Sequence, residues 1–179
     1  PRQQLERSFS LAAFEFGAKP DDRFLGAKIQ RAGVPVNLQQ SGDQVLTVSL
    51  GKEPRFSIDL QEYEVPKCFS LITDDLLVLG TSNGLALFDF RTGKRLRSFR
   101  GAHHVWSVAP SPDGRYILSA SYDQILRIWK PGEVDWLLSL FVAGDDWIAW
   151  TPLGYYACSP GGESLMGWQV NRGSDELAA

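Results

Sequence analysis

Cysteine is nearly absent: Cys68 and Cys158 are the only 2 in 179 residues. Two are too few for a disulfide framework, and neither has the CxxC spacing of a zinc site, so both read as reduced, buried thiols. Long apolar runs are missing as well. Nothing approaches the ~18 residues of a membrane-spanning helix, and the opening "PRQQLERSFSLAAF" lacks the basic, apolar and small-residue order of a signal peptide. A cytoplasmic protein with no membrane partner is the expectation. An excess of one charge is absent too. With 18 Lys and Arg against 21 Asp and Glu the formal charge is −3, which supplies no global field for nucleic acid. An initial Met is also lacking; Pro1 leads to the expectation of a piece cut from a longer protein.

No stretch reads as a convincing helix. What is present instead is a series of short runs rich in Val, Ile, Leu and aromatics: "LLVLG", "LALFDF", "YILSAS", "ILRIW" and "LLSLFV". Gly, Pro, Asn or Asp bounds each of them, which is the pattern of an all-β chain. "SNG" at 82–84 and "SPDG" at 111–114 read as hairpin connections, because Asn-Gly and Asp-Gly supply the positive φ that a tight turn demands.

The chain also repeats itself. Pro112, Gly114 and Tyr116 return as Pro152, Gly154 and Tyr156, while Trp106 returns as Trp147 and Trp129 as Trp168. Phe88 occupies the same phase one repeat before Trp129. A period of about 40 residues built from short strands is the mark of propeller blades.

Residues 101–130, "GAHHVWSVAPSPDGRYILSASYDQILRIWK", resemble a nearly complete WD repeat: a Gly-His opening, valines at 105 and 108, an SPDG turn, then Ser, Asp and Trp at the family's intervals. The resemblance implies a hydrogen-bonded chain of loop His, strand Ser, turn Asp and next-strand Trp pinning adjacent strands. Matched residue by residue, those roles fall to His103, Ser119, Asp123 and Trp129, with His103 preferred to His104. The flanking repeats depart from the pattern. Residues 66–101 carry Phe88 for Trp and Val78 for Ser; residues 145–172 keep Trp168 but place Cys158 and Gly162 at the serine and aspartate positions. The last stretch also resembles the end of the WD-repeat region in long bacterial proteins, some of which carry a caspase-like peptidase domain elsewhere. Before 63 no WD mark is visible, and "FSLAAFEF", "FLGAKIQ", "VPVNLQQ", "QVLTVSL" and "RFSIDL" read as five strands of a degenerate blade.

The expected fold is therefore all-β, a partial β-propeller of about three to four four-stranded antiparallel blades. Residues 1–62 are a degenerate blade-like region, 63–103 a blade, 104–144 the WD-repeat blade, 145–172 a blade and 173–179 a tail. "GKRLRSF" and "EVDWLLSLF" fall on outer strands.

The resemblance implies a non-catalytic scaffold that binds protein, and no cofactor or metal is expected. Residues at the loop and turn ends of inner strands face one mouth of such a ring, so Trp106, Tyr122 and Trp147 are the candidate partner-binding residues. The rival reading is a cysteine peptidase using Cys158 with His103 or His104, since "YACSPGG" echoes a caspase nucleophile with a histidine ~50 residues upstream. Repeat phasing speaks against it, placing the histidines in a loop and the thiol in a strand. A third class, nucleic-acid binding in which Arg91, Lys94, Arg95, Arg97 and Arg100 meet phosphates, competes with a plain solvated rim on which Arg95 and Arg97 face water and Leu96 points inward. "GDD" at 144–146 reads as a turn rather than a cation site. A closed WD-type ring needs near ~300 residues, so another polypeptide, the rest of a parent chain or a second copy, is expected to complete it.

Overall fold

A computed structural model describes residues 8–10, 15–17, 30–31, 33–41 and 44–167. Strands β1 (Ser8–Ser10) and β2 (Glu15–Gly17) pair as a small sheet of their own. Strands β3 (Gln30–Arg31), β4 (Val34–Gln40), β5 (Val45–Leu50) and β6 (Glu53–Asp59) form a four-stranded sheet. A second is made by β7 (Pro66–Thr73), β8 (Leu76–Thr81), β9 (Leu85–Asp89) and β10 (Arg95–Ser98). The third has six strands: β11 (Val105–Pro110), β12 (Ile117–Ser121), β13 (Leu126–Trp129), β14 (Leu138–Ala143), β15 (Asp146–Trp150) and β16 (Tyr156–Cys158). Every pairing is antiparallel between sequence neighbours, the meander of a propeller blade. The only helical turn among the described residues is a 3-10 turn at Gly162–Leu165.

Side chains alternate across each strand, and in the second sheet both sets are apolar. Leu77, Leu79, Ala86 and Phe88 face the first sheet, where they meet Val36, Leu46, Val48 and Ile58. Val78, Leu85 and Leu87 face the third sheet, where they meet Val105, Val108, Ile117 and Trp129. This double burial explains why "LLVLG" and "LALFDF" are continuous apolar runs instead of alternating ones. It also explains Val78 at the serine phase: the position lies in the core shared with Trp129. Full burial of side chains this size stabilises by ~1.5–3 kcal/mol each, so these two layers hold the sheets face to face. Strand β11 lies alongside β7 and β8, and β7 and β11 are the inner edges of their sheets.

Three expectations need correction. "FSLAAFEF" is a short hairpin, Phe9 opposite Phe16, rather than a strand of the blade formed by β3–β6. Residues 145–158 do not begin a separate sheet. Gly144, at φ 64, lets the chain reverse within the plane, so Ala143 pairs with Asp146 and Ser139 with Trp150. Strand β14 is consequently interior, bonded to β13 on one edge and β15 on the other, and not an outer strand. The repeat spacing persists, but here it adds two strands to the WD blade. Strand β10 is the edge of its sheet, as "GKRLRSF" leads one to expect. Trp168, residues 173–179 and most of "FLGAKIQ" lie outside the described residues.

Candidate functional site

The polar chain expected inside the WD blade is only half assembled. Trp129 is fully buried, and its indole N–H donates to Ser119 Oγ at 2.9 Å. Asp123 turns away from this pair. Its Oδ1 accepts the Ile125 N–H at 3.1 Å, and its Oδ2 stands 2.8 Å from Arg127 Nη1. That approach is a charge contact off the N–H direction, because Arg127 Nη1 and Nε make no aligned hydrogen bond. His103 is exposed, with no side-chain partner among the described residues. The inward place in its loop belongs to Ala102, packed in the core beside Val105 and Trp129, and the short loop cannot bring the imidazole to the same spot. His103 and Asp123 are thus not members of the Ser119–Trp129 link.

At the mouth end of the second and third sheets, backbone hydrogen bonds join four loops. Ser82 N donates to Val65 O at 2.9 Å, His104 N to Ser82 O at 3.0 Å, and Tyr122 N to His104 O at 2.9 Å. Ser82 Oγ also accepts from Val65 N and donates to Tyr63 O. Tyr63 (φ 61), His104 (φ 44) and Gln124 (φ 65), the non-glycine residues with positive φ among those described, all lie in this row. Left-handed backbone costs an L-residue ~1–2 kcal/mol, and such strain collects where a surface must keep one shape. The shape displays aromatic rings. Tyr63 is 84% exposed and Tyr122 is 73% exposed, with the His104 ring tilted on Tyr122 at 5.8 Å.

Two bulges complete the mouth. The register of β7 with β8 slips between Pro66 and Cys68, and that of β11 with β12 between Val105 and Ser107, so Lys67 and Trp106 are extra residues on the two inner strands. A bulge re-aims the residue it inserts. Both side chains leave the sheets, and Lys67 Nζ sits 4.9 Å above the centre of the Trp106 ring. Trp106 is 51% exposed for this reason. Trp147, its counterpart one repeat later, stands near the start of β15 at the same end of the sheet but is covered: it is buried with Leu140 and Ala149 against Leu126 and Leu138. Of the three candidate partner-binding residues the structure exposes Trp106 and Tyr122 and buries Trp147, and it exposes Tyr63, His104 and Lys67 at the same end, which the sequence did not single out for this role. Lys67 was within reach, since it stands one repeat before Trp106.

The rival chemistries are separated in space. Cys158 is on β16 and His104 precedes β11, five strand spacings away in one sheet, or ~24 Å at ~4.8 Å each. His103, its neighbour, is no nearer to bonding the thiol. The "SPGG" stretch closes the end of the third sheet. Ser159 Oγ donates to Asp146 Oδ1 at 2.7 Å and accepts from Trp147 N at 3.0 Å, and Gly161 N donates to Asp146 Oδ1 at 3.2 Å. The Asp146 of "GDD" is spent on this closure. The arginines of 91–100 are engaged as well: Arg91 with Asp75, Arg95 with Glu64, Arg97 with the Pro131 carbonyl and Arg100 with Asp135. Contrary to expectation, Arg95 and Arg97 are half-buried and Leu96 is exposed, because the Arg95 guanidinium covers the Phe88 ring at 5.2 Å. Among the described residues no group of three His, Cys, Asp or Glu is placed to hold a metal.

Residues 93–130 match the family described as WD domain, G-beta repeat. The match begins before β10 and ends after β13, so it straddles the second and third sheets. Nuclear distribution protein PAC1-2 of Uncinocarpus reesii (strain UAMH 1704) is 39% identical over 64 residues, which is 34% of this chain and 14% of that protein. Among solved structures, the WD40 β-propeller domain of Doa1 superposes with a TM-score of 0.54 at 16% identity, covering 80% of this chain and 56% of that one. Hydrazine synthase of Kuenenia stuttgartiensis superposes with a TM-score of 0.51 at 12% identity, covering 74% and 44%. The chain thus spans only part of each, and at these identities the two structures speak for the fold alone. Residues 93–130 thus carry a WD repeat that straddles two stacked antiparallel sheets, and the chain has the fold of part of a WD40-type β-propeller.

Proposed function

We propose that this chain is a non-catalytic protein-interaction module whose mouth, formed around Trp106 and Tyr122, holds a partner polypeptide. The observation that carries the reading is the concentration of left-handed residues and exposed rings in one hydrogen-bonded row. Rigid aromatics lose little entropy when covered, which suits them as binding anchors. The test is affinity capture from the source organism's lysate with the wild-type chain and with the Trp106→Ala/Tyr122→Ala double variant. A partner retained by the first and lost by an equally stable second is the expected result. Equal retention by both removes the mouth from the account.

A finer part of the proposal is that further blades, from a parent chain or a second polypeptide, complete the ring. Leu118 supports it. It lies on the opposite face of β12 from the Ser119–Trp129 link and is 41% exposed there. Native mass spectrometry tests it, and a stable 19.9 kDa monomer that stays soluble and unassociated speaks against it. We also keep the cytoplasmic setting as a proposal, supported by two cysteines that are both free.

A further inference from the structure

The charges around the mouth do not balance locally. Asp123 is occupied by Arg127 at 2.8 Å. Glu64 is buried, and its carboxylate is taken by Thr81 Oγ1 at 2.8 Å, Gln61 N at 2.9 Å and Arg95 Nη2 at 3.4 Å. Lys67 has no carboxylate partner among the described residues, and its ammonium rests on Trp106 alone. The bulges of β7 and β11 therefore hold a cation on an exposed indole, and two residues before that indole His104 accepts the Tyr122 N–H and meets its ring. Glu62, the acid of the Tyr63 loop that leads into β7, is exposed as well.

From this arrangement we infer that the mouth takes an extended acidic peptide segment. The segment sets an Asp or Glu carboxylate on Lys67 and an adjacent aromatic or aliphatic side chain on the Trp106–Tyr122 floor. The inference rests on the protein-interaction reading and adds the chemistry of the partner. A cationic segment is disfavoured, because Lys67 already covers the face of Trp106 that a second cation would seek and repels it there. A neutral aromatic segment would cover the ammonium without pairing it, and burying an unpaired charge is costly. Since Lys67 is solvent-exposed, the pair it forms steers encounter and weakens as salt rises.

The experiment is selection from a random 12-residue phage-displayed peptide library on the whole chain. Affinities of the selected synthetic peptides are then measured by fluorescence anisotropy against wild type, Lys67→Glu, Lys67→Met and Tyr122→Ala. Matched thermal melts establish that each variant is folded. The expected peptides are enriched in Asp or Glu next to an aromatic or aliphatic residue, and lose about tenfold or more in affinity on Lys67→Glu. Lys67→Met keeps the cover on Trp106 and removes the charge, so a comparable loss there assigns the effect to charge. Peptides that depend on Tyr122 but bind the Lys67 variants as well as wild type, or that are enriched in Lys and Arg, overturn the inference and leave the interaction reading standing. Peptides indifferent to both Lys67 and Tyr122, or a library that yields no binder, overturn both.

Discussion

Trp129 Nε1 and Ser119 Oγ, 2.9 Å apart and both shut off from solvent, form the link that ties β13 to β12 inside the WD blade. Replacing Ser119 by Ala leaves the indole N–H in an apolar layer with nothing to accept it. The expected loss is ~1–3 kcal/mol, read as a lower midpoint in urea at unchanged slope. Ser119→Ala with wild-type stability would mean that the indole finds another acceptor.

Asp123 belongs to a different pair. Its bond to the Ile125 amide and its contact with the buried Arg127 predict a stability loss on Asp123→Ala of ~1–3 kcal/mol that owes nothing to Trp129. A double-mutant cycle separates the two. Coupling of Asp123 with Arg127, measured against Arg127→Met, should be near ~1 kcal/mol, and coupling with Trp129, measured against Trp129→Phe, should stay under ~0.5 kcal/mol. The reverse ranking restores the expected four-residue chain.

How far the sequence discloses this structure depends on which residues are asked. Val36, Leu46, Val48 and Ile58 alternate along β4–β6, and simple period-two reading places "VPVNLQQ" on β4 itself. The WD intervals likewise disclose Ser119 and Trp129. What stays hidden is set by register. Trp106 and Trp147 share a phase in the repeat, yet an inserted residue on β11 throws one out to solvent and no insertion on β15 leaves the other in the core. Nothing local to either tryptophan announces the bulge. The hairpin at Gly144 is equally silent, since a Gly-Asp turn serves a return within one sheet as well as a crossing to the next.

Gly162 has no room for a side chain. A Cβ there would collide with the Trp147 carbonyl oxygen and stand 2.7 Å from Cys158 Cβ. Backbone on one side and a strand on the other cannot both yield. Gly162→Ala should therefore part the 3-10 turn from β15 and β16, at a cost of ~1–3 kcal/mol by the overpacking mechanism. Hydrogen exchange localises the effect: faster exchange at Trp147 and Ser159, with β12 and β13 unchanged. Uniform protection across both regions would count against this account.

Burial pushes the Cys68 thiol up to about 11, against a modest opposing hydrogen bond from the Gly80 backbone. The folded chain therefore holds this proton after the unfolded chain has released it. The contribution to stability is whole below the ordinary thiol range and is lost as pH rises from there through about 11. Thiolate absorbance near 240 nm, compared between wild type and Cys68→Ala, should show the native Cys68 step only toward that upper value, and shifted down in denaturant. A native step in the ordinary range would place the thiol in water.

Ser139 tests the same sheet face from the opposite direction. It lies across from Arg127 on β14, is fully buried, and its Oγ finds no partner, in contrast to Ser119 on the other side of Arg127. Hiding an unpaired hydroxyl costs ~1–3 kcal/mol, whereas removing one oxygen leaves a void too small for water. Ser139→Ala should thus be neutral or stabilising by up to ~1 kcal/mol, while Ser119→Ala in the next strand but one is destabilising. The pair controls for strand position, burial and the nature of the substitution, so the sign difference isolates the hydrogen bond. A loss at Ser139 as large as that at Ser119 would reveal an ordered water bridging Ser139 Oγ to the unpaired Arg127 Nε.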